Sequence, residues 1–454
     1  MNTKRLKKPL FLMTALSAAI FAVSANAAEL TAFALMPANT FAVGPTSGQF
    51  AGTGAGGNSL PLIKKQPVQG VSAILHGPTH NSYYIMQDNG FGAKTNSADT
   101  ILRVFAVRPD FKTWDGSNVV GSGEISPVNF LTGDVLPSFT KESFISLRDP
   151  NHKLGFTTVA DADNYPNGNN DIPVAASIKA RHFLTGADLD IEAVRKDKRN
   201  HFWFGDEFGP FLVETDRTGK VLHAEVSAPN YIPAGSTATG DTVMSPQNPY
   251  LGTAAANLGQ SRGFEGMAVN PIGDKLYPLF EGTVTGDDAI NGTAGKNLRI
   301  YEFNLKNRSY TGKNWVYQLE TDGTNIGDMT AINDHQFLVL ERNGVTATST
   351  SGTPFKKVFL IDIAGVESGS FVTKTELANL MNIADPHDLN GDSSTRFTFP
   401  FVTIESVLPL DSTTLLITND NNYPGAGGRD LNSDNNEFIK IKLDTALDLA
   451  TFAN

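Results

Sequence analysis

A hairpin-length pattern recurs five times between Val71 and Leu443 and constrains this chain more than any other feature. Each copy opens a short strand at a polar or acidic residue, turns, runs through a second apolar strand, and closes on an acidic or amide cluster. The first copy runs from Ser72 to Asp88-Asn89-Gly90, and the second from Glu192 to Asp206-Glu207. The third runs from Glu265 to Glu281-Gly282, the fourth from Asp328 to Glu341-Arg342-Asn343, and the fifth from Glu405 to Asn419-Asp420-Asn421. The two polar ends lie 13 to 16 residues apart each time, which is the length of a β-hairpin.

A third strand follows each hairpin, at 101–107, 211–215, 298–303, 357–363 and 437–443, and fourth strands fit at 221–226 and 315–319. Antiparallel units of three or four strands with no helix-rich stretch between them describe the blades of a propeller. The expected fold is therefore all-β, a β-propeller with five recognisable repeats and five to seven blades, six being favoured. The stretches 112–180 and 228–260 are rich in Gly, Pro, Asn and Ser and read as long loops, the first with room for further strands. The segment Leu30 to Leu35 is placed to pair with the last strands and close the ring. A pair of β-sandwich domains is the competing arrangement, but sandwich packing does not require acids at equivalent hairpin positions. In a propeller the first strand of every blade lines one channel, so Glu192, Glu265, Asp328 and Glu405 converge.

Lys4, Arg5, Lys7 and Lys8 precede an apolar run from Leu10 to Val23 and then Ala25-Asn26-Ala27. That order is a secretory signal, expected to be cleaved after residue 27 and to leave 28–454 as a single propeller domain. Its apolar run is shorter than the roughly 20 residues a spanning helix needs. A periplasmic or secreted location in a bacterium is expected, with no membrane partner once the signal is gone. The formal net charge of −11 becomes −15 without the four basic residues of the signal, which argues against nucleic acid as a partner. The chain has no cysteine, which excludes disulfides, thiolate metal sites and a cysteine nucleophile.

The motifs Asp88-Asn89-Gly90-Phe91-Gly92, Asp188-Leu189-Asp190-Ile191-Glu192, Gly205-Asp206-Glu207-Phe208-Gly209-Pro210 and Arg262-Gly263-Phe264-Glu265-Gly266 occur in order at blade-like spacing. With them in place the chain resembles the bacterial phytase-like domain family, "esterase-like activity of phytase", from about Val71 to Leu443. The resemblance implies an exported propeller associated with phosphoester hydrolysis.

Carboxylate and amide clusters supply hard oxygen ligands, which suit Ca²⁺ or Mg²⁺ better than zinc, and converging loops favour calcium's loose geometry. The candidate metal ligands are Asp88, Asn89, Glu192, Asp206, Glu207, Glu265, Asp328, Glu341, Glu405, Asn419 and Asp420. Glu265 and Glu281 face each other across one hairpin and are the candidate catalytic acids. Arg262 and Arg342 lie beside them, placed either to grip a phosphate or only to neutralise the carboxylates. The loops beginning at Asp161-Ala162-Asp163-Asn164 and Asp385-Pro386-His387-Asp388 lack EF-hand spacing and read as solvated turns. Gly259-Gln260-Ser261-Arg262-Gly263 matches G-x-S-x-G but leads into a strand rather than a helix, so Ser261 is not expected to be a nucleophile. His182, His201, His335 and His387 are scattered without a recognisable partner. The expected function is a monomeric phosphoesterase acting on small phosphorylated or ester substrates, with a divalent cation, calcium first, at the propeller axis. A calcium-dependent lactonase or carboxylesterase using Glu265, Asn419 and Asp420, and a non-catalytic ligand-binding propeller, remain the alternatives.

Overall fold

Five sheets, antiparallel apart from one short parallel pairing of Glu29–Met36 with Ile383–Ala384 in the fifth, stand around one axis, and each has a strand at that axis. The computed structural model describes residues 28–52, 60–166, 171–425 and 427–452, so the expected signal segment, 1–27, lies outside the described residues. Blade 1 is built on Val71–His76, Tyr83–Gln87 and Arg103–Pro109, and blade 2 on Ile191–Lys196, Phe202–Asp206, Phe211–Thr215 and Val226–Ser227. Blade 3 contains Phe264–Val269, Lys275–Phe280, Asn297–Asn304 and Ser309–Gln318; blade 4 contains Asn325–Ala331, Gln336–Arg342, Lys356–Asp362 and Thr373–Asn379. Blade 5 starts with Thr403–Pro409, Thr414–Asp420 and Asn436–Lys442. The first strands touch one another in cyclic order, and the fifth meets the first.

The chain's two ends share the fifth sheet. Glu29–Met36 pairs antiparallel with Asn436–Lys442, from Glu29 opposite Lys442 to Met36 opposite Asn436, as expected for Leu30 to Leu35. Polar contacts reinforce the closure: the Asn421 and Asn436 amides both donate to Gln69 Oε1, at 2.6 and 2.9 Å, and the Gly70 N–H donates to Asn421 Oδ1.

The blade count is five, the lower end of the expected range and one fewer than the favoured six. The stretch 112–180 does hold strands, but they do not form a separate blade. Ile125–Pro127 and Phe144–Ser146 extend blade 1 by pairing with Arg103–Pro109, while Thr113–Trp114 and Val119–Val120 form a separate ribbon.

Apolar side chains fill each gap between neighbouring blades. Ala73, Met86, Val104, Ile191 and Phe204 lie in the cluster between blades 1 and 2. Trp203, Phe264 and Phe303 pack between blades 2 and 3, and Tyr277, Met329 and Val339 between blades 3 and 4. Leu30, Leu338 and Ile417 share the cluster between blades 4 and 5; Met36, Leu416, Val71 and Ile85 share the one between blades 5 and 1. Successive side chains of a strand point to opposite faces, so Trp203 and Phe204 serve two different gaps. This two-sided burial explains why the second strands read as unbroken apolar runs rather than as alternating ones.

The closure depends on Leu30, which is 1% exposed and packs into the gap between blades 4 and 5. Leu30→Ala is expected to cost about 2–5 kcal/mol, measured by denaturant unfolding of the two proteins. A loss below about 0.5 kcal/mol, as at an ordinary surface site, would show that the ring does not rely on the N-terminal strand.

Candidate functional site

The site is created by one irregularity repeated five times. In every first strand the pairing slips by a residue, leaving Ser72, Glu192, Glu265, Gly327 and Glu405 as the extra residue of a β-bulge. A bulge re-aims the extra side chain, and here four of the five turn a polar group to the axis. Each residue just before a bulge pairs with Gln87, Asp206, Phe280, Glu341 or Asn419 on the second strand. The next residues along, Asp88, Glu207, Glu281, Arg342 and Asp420, form a second ring beside the first.

The two rings meet in direct contact. Arg342 Nη2 lies 3.3 Å from Glu265 Oε1, 3.2 Å from Glu281 Oε1 and 3.4 Å from Glu405 Oε1, bridging blades 3, 4 and 5. Ser72 donates its hydroxyl to Glu405 Oε2 at 2.9 Å. Asn325 Nδ2 donates to Glu281 Oε1 at 2.6 Å, and Arg262 pairs with Glu281 Oε2 from the half-exposed rim. Asp190, two residues ahead of the Glu192 bulge, accepts from Asn89 Nδ2 at 2.7 Å. Carboxylate oxygens of Asp190, Glu192 and Glu207 all lie within 4.8 Å of one another.

Burial and mutual repulsion set the electrostatics. Burial first, and then neighbouring carboxylates, push Asp88, Glu192, Glu207 and Glu265 well above the ordinary carboxylate range. The same burial raises Asp190 and Asp420 to about 6 and Glu405 to about 8. Burial works against the Arg342 charge, yet Glu281, Glu265 and Glu405 together hold its pKa above the usual arginine value. One buried guanidinium and one at the rim do not balance this number of acids.

Several expected ligands do not join the cluster, because side chains alternate along a strand and neighbouring acids face different ways. Asp206 turns back into its own loop, accepting from the backbone N–H of Asp190 at 2.8 Å and of Gly209 at 2.7 Å. Glu341 faces the body of its blade, where Tyr317 Oη at 2.6 Å, the Glu320 N–H and Lys374 satisfy it. Asn419 is occupied by the Glu437 N–H and the Asp420 and Asn435 carbonyls. Asp328 stands one residue past its bulge and pairs with Arg195 at 2.7 Å while accepting from the Val407 N–H. Arg195 belongs to blade 2 and Asp328 to blade 4, so this ion pair crosses the channel.

The bulge of blade 4 is therefore occupied by Gly327. A Cβ there would lie 1.8 Å from the Ile404 carbonyl oxygen, so only glycine lets blades 4 and 5 approach. The missing acid leaves room for Arg342. Sequence reasoning also missed Asp190 as a member of the cluster, although it lies inside a quoted motif. Ser261 adopts a left-handed backbone (φ 47°), with its hydroxyl 3.5 Å from Asp190 Oδ2, in a loop that enters a strand as expected. His182, expected to lack a recognisable partner, faces Asp161 together with His152.

These residues fit a hard divalent cation: the donors are oxygens, they are buried, and Glu207 Oε1 has no hydrogen-bond partner among the described residues. Asp190, Glu192 and Glu207 are the closest set, with Asp88, Glu405 and Asp420 beside them.

A family profile described as "Phytase-like: Esterase-like activity of phytase" matches residues 66–423. The chain belongs to the phytase-like family. This phytase-like chain is 25% identical over 128 residues to an "uncharacterized secreted protein" of Arthroderma benhamiae, a match covering 26% of the chain and 24% of that protein's length. It is similar to a solved luciferin-regenerating enzyme at 10% identity, covering 86% of this chain and 84% of that one with a TM-score of 0.35. It is also similar to a GH43 β-1,3-galactosidase at 10% identity, covering 85% and 94% with a TM-score of 0.37. The propeller assignment rests on the chain's own sheet topology. Among the described residues no helix is long and apolar enough to cross a membrane.

The raised carboxylates predict a pH dependence. Their folded pKa values, about 6 for Asp190 and Asp420 and about 8 for Glu405, exceed the unfolded values of about 4. Over that interval the folded chain holds protons that the unfolded chain has released, so stability falls as pH rises. In chelator, the thermal midpoint is expected to drop between about pH 5 and pH 8. A level or rising midpoint across that window would mean that the cluster is already compensated.

Proposed function

We propose that the chain is an exported phosphoesterase that uses a divalent cation, calcium first, held by the acidic rings at the channel mouth. The observation that carries the reading is the imbalance at the axis, where Asp190, Glu192 and Glu207 converge while the buried Arg342 reaches Glu265, Glu281 and Glu405 instead and the buried Arg195 pairs with Asp328. Membership of the phytase-like family supports a phosphoester as the substrate class. Export rests on the signal pattern of residues 1–27 and accords with the secreted relative. A small-molecule substrate and a monomeric protein complete the proposal.

In this reading Asp190, Glu192 and Glu207 hold the ion, and Asn89 fixes the orientation of Asp190 through its 2.7 Å bond. A bound cation polarises a phosphoryl oxygen and lowers the pKa of bound water. Arg262, half exposed at the rim, is placed to take a phosphate oxygen from solvent. Arg342 offsets part of the charge of Glu265, Glu281 and Glu405 and so lessens the repulsion an anionic substrate meets. Glu265 and Glu281 are the acids through which blade 3 reaches Arg342.

Phosphate release from phytate and aryl phosphates, measured with calcium and with chelator, tests the activity. Lactone turnover exceeding phosphoester turnover would select the lactonase alternative, and no turnover across a broad ester panel in calcium would remove the enzyme reading. Glu265→Gln keeps the shape and removes one charge. It is expected to weaken calcium dependence by about ten- to a hundredfold while leaving the metal-free melting temperature equal or higher, because a repulsion is relieved. A lower melting temperature with unchanged activity per folded molecule would make Glu265 a structural residue instead.

A further inference from the structure

A second charged site lies on the flank of the ring, between blades 1 and 2, and its sign is opposite to that of the axis. A cavity of about 800 Å³ is lined by Lys64, Arg103, Lys141, Arg148 and Arg181, and no Asp or Glu among the described residues lines it. In a chain whose net charge is −11, five cations around one cavity without a carboxylate are a local reversal of the overall charge. Lys64, Lys141 and Arg181 are exposed at the mouth, and Arg148 is tied by its guanidinium to Thr218.

Arg103 is the residue that makes this a built site. It opens the third strand of blade 1, is 3% exposed, and lies with its guanidinium 4.0 Å from the centre of the Phe144 ring. Its Nε and Nη1 have no hydrogen-bond partner among the described residues. Gly44 lies against Nη2, where an added Cβ would stand 3.1 Å away. Burying a guanidinium with unmade hydrogen bonds is costly unless an anion completes it, and burial alone pushes this group's pKa down. The aromatic face of Phe144 offers partial compensation but accepts no N–H bond in the guanidinium plane.

We infer that this cavity binds a small molecule carrying two or more phosphate groups, with Arg103 at its base and Lys64, Lys141 and Arg181 around its mouth. A guanidinium matches phosphate oxygens bidentately, and each phosphate monoester carries about −1.5 to −2 charges at neutral pH, enough for a few groups to meet five cations. The cavity lies within the usual size range of small-molecule sites. This assignment does not depend on chemistry at the axis, since no residue of the acidic rings lines the cavity.

Titration calorimetry in calcium-free buffer with tripolyphosphate, inorganic phosphate and citrate tests it. Tripolyphosphate is expected to bind more tightly than either of the others, with an affinity that falls as salt rises. Arg103→Met is expected to weaken binding by at least about thirtyfold. Because that substitution reaches the blade interior, the double variant Lys141→Glu, Arg181→Glu provides a second arm at exposed positions, with a loss of about tenfold or more. Absence of tripolyphosphate binding to the wild-type chain, or equal binding by the wild type and the Lys141/Arg181 variant, would overturn the site. Citrate binding as tightly as tripolyphosphate would overturn the phosphate assignment, and inorganic phosphate binding as tightly would overturn the requirement for several phosphate groups.

Discussion

Like charges forced together around one axis are the constraint on which the rest of this structure turns. Five first strands in mutual contact leave little room between them, and each contributes its bulge residue to that space. Carboxylates placed there lose hydration and repel one another, which is why their pKa values rise. The chain answers in part from within: blade 4 replaces its acid with Gly327, and Arg342 from the neighbouring strand fills the gap with three carboxylate contacts. On the far side of the ring, no guanidinium among the described residues makes an ion pair with Asp190, Glu192 or Glu207, and their converging oxygens form a group that could hold a cation.

The geometry of the site depends on the way the ring is closed. Glu29–Met36 completes the sheet that carries Glu405 and Asp420, and Gln69 links that sheet to blade 1 just ahead of Ser72. Opening the ring would therefore separate Ser72 from Glu405, two residues 333 apart in sequence that share one hydrogen bond. The five apolar gaps hold the blades at fixed angles, and the Arg195–Asp328 pair ties blade 2 to blade 4 across the channel.

Much of this was legible in the amino-acid sequence, because a repeat carries its own register. Ser72, Glu192, Glu265 and Glu405 were aligned as equivalent positions from hairpin length alone, and all four are bulge residues. The fourth repeat went wrong by one position: its bulge residue is a glycine, invisible to a search for polar groups, and Asp328 beside it took its place. The same one-residue ambiguity affected Asp206, Glu341 and Asn419, each adjacent to the residue that does face the axis. A strand's two faces cannot be distinguished where both neighbours are polar and both sides are buried. Arg103 and the His152–Asp161–His182 group were not legible, since Phe144 meets Arg103 only once Phe144–Ser146 pairs with Arg103–Pro109, and the two histidines meet Asp161 only where the stretch between blades 1 and 2 folds back on itself.

In the proposed function, a cation completes the unbalanced side of the acidic ring. Equilibrium dialysis of calcium against the wild-type chain and a Glu192→Gln, Glu207→Gln double variant tests it most directly. The account requires saturable calcium binding by the wild type at neutral pH and its loss in the variant, with the propeller still folded by circular dichroism. Calcium binding undiminished by the double substitution, or no binding by the wild-type chain, would contradict it.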